Sequence, residues 1–193
     1  MEIQQLQPIP MARMKEIEDF FYMDGVLQAH HTSTIRDHFT DNELRLFMGK
    51  HGIYVLPTIE LIQFISGTIA KSGAVNPIEI GSGNGTIARE SGIPATDSYM
   101  QDPLEFRHTV RTDDLPLYDL FISGLHNMPY NGPVKYGKNV KKFEGFHAVK
   151  HYKADFVLCN YVTQRYNEKF HNLGGNHFGV DFLKVMNFPT IRS

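Results

Sequence analysis

Residues 78–85 read Ile-Glu-Ile-Gly-Ser-Gly-Asn-Gly: an acid, Glu79, closes a short apolar run, and glycines stand at 81, 83 and 85. Glycine has no Cβ, so such a backbone turns tightly and lets a ligand come close. A helix starting just past the turn would aim unpaired N–H groups and the positive end of its dipole at that ligand. Asp97 ends a second apolar stretch, Gly92 to Thr96. A carboxylate there can accept hydrogen bonds from the two hydroxyls of a ribose. These residues predict a ligand that contains adenosine. The dinucleotide fingerprint is G-x-G-x-x-G, whereas the order here is acid-x-Gly-x-Gly-x-Gly. An acid pointing into the turn repels a pyrophosphate and attracts a cation such as an amino group.

The elements that must hold these residues follow from periodicity. Apolar residues from Met11 to Met23 recur at spacings of three or four and predict a helix over 11–28. His30 to Thr34 reads as a polar stretch. Asp41 to Met48 predicts a short helix capped by Asp41. A further helix is expected from about Thr58 to Lys71, ended by Ser72-Gly73. Strands are expected from Pro77, at 93–97, at Val134 to Tyr136 and at Ala154 to Cys159, with a helix over Gly145 to Tyr152. The segment Tyr99 to Pro133 reads as a helix around Pro116 to Ile122 with flanking loops, and 182–193 leaves room for one short element. Alternating helices and strands predict an α/β fold with a doubly wound, mainly parallel sheet. The chain is expected to be one domain, with a helical N-terminal extension over 1–50 and an α/β core over 51–193.

Composition narrows the function. The chain has 193 residues, enough for a sizeable core, and a net charge of −2 at pH 7. No basic run exceeds Lys141-Lys142, so a small molecule or a protein is favoured over nucleic acid as a partner. Cys159 is the only cysteine, no start resembling a signal peptide is present, and no apolar run approaches the roughly 20 residues of a membrane helix. The expectation is a cytoplasmic protein without a membrane partner.

The acid-glycine motif resembles the first motif of the class I S-adenosylmethionine-dependent methyltransferases, E/D-x-G-x-G-x-G. The blocks His51 to Thr58, Glu79 to Gly85 and Ile93 to Ser98 are similar to those of methyltransferase-like proteins from bacteria and their phages. Tyr136-Gly137 with Asn139-Val140, Tyr161-Val162-Thr163, and Gly174 to Asn176 with Gly179 to Asp181 extend the resemblance collinearly over about 51–181. It implies a Rossmann-like methyltransferase fold and S-adenosylmethionine as cofactor. Gly81, Gly83, Asn84 and Gly85 would line the cofactor, Glu79 would lie near its amino group and Asp97 would hold its ribose. Asn139 and Val140 would border adenine, and Tyr54 would close over the methionine end. Asn160-Tyr161 echoes the N/D-P-P-Y/F motif that positions an acceptor amine, without its prolines.

The implied activity is methyl transfer to an unidentified acceptor. The family's sheet has seven strands and only four can be counted here. The same residues therefore also fit a ligand binder without turnover, or a shortened domain that works with a partner chain, a further copy of itself included. Other chemistry reads more weakly. Cys159 lies in a Val-Leu-Cys run and is read as a small buried hydrophobe rather than a nucleophile. His147 and His151 share a helix face but lack the glutamate of H-E-x-x-H, so they read as a solvated pair and no metal is expected. His171, Asn176 and His177 flank Gly174-Gly175 in a loop that could cover a substrate.

Overall fold

The structure, a computed structural model, describes residues 6–99, 102, 134–160, 162 and 180–189. They form two compact units, the first reaching to Glu60 and including Val134 and Lys135, the second taking up Leu61 to Tyr99 and the residues from Tyr136 on. Among the described residues no helix is long and apolar enough to cross a membrane.

The first unit opens with α1 (Met11–Phe21). The helix expected to reach Gln28 stops at Phe21 because Asp24 and Gly25 adopt φ of 52° and 75°. Left-handed residues at both central positions make the tight turn whose twist suits a hairpin. It joins β1 (Tyr22–Met23) to β2 (Val26–Leu27) in antiparallel register, Tyr22 opposite Leu27. The polar stretch that follows enters a helix, α2 (Thr32–His38). The next helix, α3 (Asp41–His51), is capped by Thr40 and not by Asp41. The Thr40 hydroxyl accepts from the Glu43 amide at 3.3 Å, and Glu43 Oε2 accepts from the Thr40 amide at 2.8 Å, a reciprocal capping box. Ile17, Phe21, Leu27, Ile35, Phe39, Phe47 and Ile53 form the core of this unit. Phe21 and Phe47 stack with ring centroids 4.8 Å apart. Burying a side chain of that size contributes about 1.5–3 kcal/mol.

Helix α4 (Ile59–Ser72), ended by Gly73 at φ 68°, leads from the first unit into the second. Its sheet holds β3 (Pro77–Ile80), β4 (Ala95–Asp97), β5 (Val140–Lys142) and β6 (Phe156–Leu158). The order is β5-β4-β3-β6 and every pairing is parallel. Strand β5 corrects the expected strand at Val134 to Tyr136, which lies in irregular chain ahead of the turn at Lys138 and Asn139. The expected helix Gly145 to Tyr152 is present as α6 (Gly145–Tyr152), and the short last element is α7 (Phe182–Met186).

Parallel neighbours need a crossover, and α5 (Thr86–Ser91) supplies it between β3 and β4. Ile78 and Ile80 pack with Ala148 and Val149 of α6 and Val185 of α7 on one face. Ala95 and Val140 pack with Ala88 of α5 and with Leu158 on the other. The result is an α/β sheet covered on both faces, consistent with a Rossmann-like architecture.

Candidate functional site

Strand order reverses at β3: the chain adds β4 and β5 on one side, then returns to place β6 on the other. At such a switch point the connections diverge and leave a crevice beyond the carboxyl ends of the strands. The glycine turn follows the carboxyl end of β3, so it stands at that crevice.

Register places Glu79 opposite both Ala95 and Leu158, with Val140 beside Ala95. Side chains level with one another share a face, so a carboxyl sits in the middle of an otherwise apolar row. Glu79 is 1% exposed. Its Oε1 accepts from Asn160 Nδ2 at 2.9 Å, while Oε2 has no hydrogen-bond partner among the described residues. Burial pushes the Glu79 carboxyl up to about 7, and the negative charge of Asp97 adds to the rise. The Asn160 amide and, more weakly, the Ala88 backbone amide oppose it. A buried carboxyl with one idle oxygen is costly unless a ligand or a proton answers it.

Asp97, at the end of β4, accepts from the Gly83 amide through Oδ2 and from the Tyr99 amide through Oδ1, each at 3.0 Å. The Tyr136 hydroxyl also donates to it. Burial raises its pKa against the pull of these donors. The Tyr99 ring stacks on Tyr136 at 4.1 Å, 9° from parallel, and its hydroxyl donates to the Val140 carbonyl at 2.9 Å. Asp97 therefore fixes the glycine turn and stands beside a flat aromatic wall.

The glycines are explained by backbone geometry and by close neighbours within the chain. Gly81, Gly83 and Gly85 adopt φ of 64°, 52° and 71°. A Cβ on Gly81 would lie 2.5 Å from Val162 Cγ2, and one on Gly85 would lie 2.5 Å from Val140 Cγ2. Val162, which follows β6 in sequence, thus lies directly against the turn. Asn84, an expected cofactor residue, turns its side-chain oxygen to the Thr86 amide at 3.0 Å and braces the start of α5. Asn139 Nδ2 donates to the Gly85 carbonyl at 2.8 Å. Asn139 and Val140 stand at the amino end of β5, whereas ligands lie beyond carboxyl ends. Both make a supporting contact behind Gly85.

Of the remaining expectations, Tyr54 is half-buried in the first unit, in the bend between α3 and α4. Asn160 is in place against Glu79, while Tyr161 lies outside the described residues, as do His171, Asn176 and His177. Burial, with the Glu79 charge adding to it, pushes the Cys159 thiol up to about 12, which keeps it protonated and unreactive. His147 and His151 are both exposed, and among the described residues no group of three His, Cys, Asp or Glu side chains could hold a metal ion. A groove lined by Phe146, Asp181, Leu183, Lys184 and Asn187 lies on the face opposite Glu79.

Three parts of the site were missed in the sequence: the pairing of Asn160 with Glu79, the Tyr99–Tyr136 stack, and Thr96. The Thr96 hydroxyl donates to the Glu79 carbonyl at 2.9 Å, and its own carbonyl accepts from the Ser82 hydroxyl at 2.8 Å. No family model matches the chain, and neither a curated protein nor a solved structure matches it.

Proposed function

We propose that this chain binds S-adenosylmethionine in the crevice beyond β3, β4 and β6 and acts as a methyltransferase on an acceptor still to be identified. The observation that carries the reading is the buried Glu79 carboxyl, with one oxygen idle, behind a glycine turn at the point where strand order reverses. A cationic amino group satisfies that oxygen, and a phosphate does not. The fit extends to Asp97, whose carboxylate stands at the end of β4 against the Gly83 amide, the place from which such an acid meets ribose hydroxyls. The Tyr99–Tyr136 stack offers a flat surface suited to a purine.

S-adenosylmethionine, when bound, supplies a methyl group activated on a sulfonium. The residues of this chain bind and align. Such a reaction depends mainly on the placement of its two partners, so few acid–base groups are needed. Asn160 donates to Glu79 through Nδ2, which leaves its Oδ1 available to orient an acceptor hydrogen. Tyr161 follows it in sequence.

The second reading, a binder without turnover or a domain completed by a partner chain, is favoured by the sheet's four strands among the described residues. Calorimetry with S-adenosylmethionine and its demethylated product tests the site. Asp97→Ala should weaken binding about tenfold or more, since a bond to an ionised group contributes roughly 1.5–3 kcal/mol. No heat at millimolar ligand defeats both readings. Incubation with cell extract then separates them: demethylated product above a Gly83→Arg control supports transfer, and binding without turnover supports the binder.

A further inference from the structure

The net charge of −2 conceals a strong local concentration. Residues 138–153 hold five lysines and two histidines against one acid, Glu144. That surplus of four lysine charges, set against −2 for the whole, leaves −6 for the rest of the chain. The five lysines and both histidines are all exposed.

Topology gathers most of them on one side of the sheet. Along β5, alternation puts Lys141 and Phe143 on the face opposite Val140, which is the face that α6 covers. Phe143 stacks on His151 of α6 with ring centroids 4.8 Å apart and planes 28° apart. His147, Lys150 and His151 lie three and four residues apart on α6, opposite its buried Ala148 and Val149. Lys153 ends α6, and Lys138 precedes β5. Both lie toward the amino end of the sheet, because α6 runs back against the strands.

The acids beside this edge among the described residues are Glu144, Asp155 and Asp181. Glu144 lies 3.6 Å from His147. Asp155 accepts from the Val75 and Asn76 amides at 2.8 Å each, and Asp181 caps α7 through the Lys184 amide at 3.1 Å.

We propose that the β5–α6 edge binds single-stranded nucleic acid, with the lysines following the phosphates and the exposed His151, backed by Phe143, stacking on a base. Lysines around an aromatic platform are the combination that single strands require. An acidic protein surface would use the charge and have no use for the platform. This reading rests on the β5–α6 edge and is independent of the glycine turn.

The test is anisotropy of the full chain with labelled RNA and DNA oligonucleotides of about 16 nucleotides, titrated with salt from roughly 50 mM at pH 8. Binding should weaken with salt along a straight log–log line. Lys141→Glu with Lys150→Glu should lower affinity at least tenfold and flatten the salt slope. His151→Ala, which removes the ring and leaves every lysine in place, should lower affinity several-fold with less change in slope than the lysine reversals. Polyglutamate serves as the competing anion. Three results each overturn the proposal: no binding at the lowest salt, charge-reversed protein that binds as well as the original, or polyglutamate displacing the oligonucleotide with His151→Ala without effect.

Discussion

At Glu79 an unfavourable placement and a chemical use meet in one side chain. The unfolded chain ionises this carboxyl near its ordinary value of 4.5, and the folded protein resists ionisation up to about 7. A raised carboxyl pKa means that the folded state is favoured while the group is protonated. Stability is therefore fully present below pH 4.5 and declines as pH rises to about 7, by on the order of 3 kcal/mol. Glu79→Gln keeps the shape and the Asn160 contact and abolishes this loss. Urea unfolding should find the variant about 1–3 kcal/mol more stable than the original at pH 8 and equal to it near pH 4. Equal stability at both pH values contradicts the burial argument. In the original protein, affinity for S-adenosylmethionine should fall about tenfold per pH unit below 7, and the variant should bind weakly at every pH. The acid, the glycines and Asp97 were legible because their spacing is local. Asn160 was not legible as the partner of Glu79, because 81 residues separate them and only the sheet order joins them.

Among the elements, the sequence read best where pattern and length agreed. Helices α4 and α6 show clear apolar faces and lie within a residue of their expected bounds. The long helix expected over 11–28 failed because Asp24-Gly25 interrupts a pattern whose apolar residues continue into the hairpin. Strand β5 was misplaced because Val134 to Tyr136 and Val140 to Lys142 are equally short, and a run of three residues carries no usable period. The turn after β3 invites a double-mutant test. Gly81→Ala imposes a left-handed conformation on a side chain and drives its Cβ against Val162. It should cost about 1–3 kcal/mol. Adding Val162→Ala should recover the steric part and leave only the backbone part, about 1–2 kcal/mol. Additive costs in unfolding experiments would show that Val162 does not press on the turn.

At the scale of the molecule, the expected α/β sheet is present, and the chain divides into two compact units. The first of the chain's crossings between them, at Glu60 and Leu61, falls within α4, so no glycine- or proline-rich linker marks it. Each unit has its own buried cluster, one around Phe21 and Phe47, the other around Ile78 and Ile80. Scanning calorimetry should resolve two transitions. Phe47→Ala, at a cost of about 3–5 kcal/mol, should lower one of them and leave the other in place. A single peak that moves as a whole would mean that the units melt cooperatively.

The joining of β3 to β6 also fixes an order of events in folding. The Thr96 bond to Glu79 spans 17 residues, and the Asn160 bond to the same residue spans 81. Closing the longer loop costs more chain entropy, so the β3–α5–β4 unit assembles before β6 arrives. Until that strand docks, Glu79 lies at an open edge where water can solvate its charge. Closure by β6 removes that water, and between about pH 4.5 and 7 it draws a proton onto the carboxyl. The late step of folding is thereby coupled to proton uptake, and its rate carries a dependence on pH that the earlier assembly lacks.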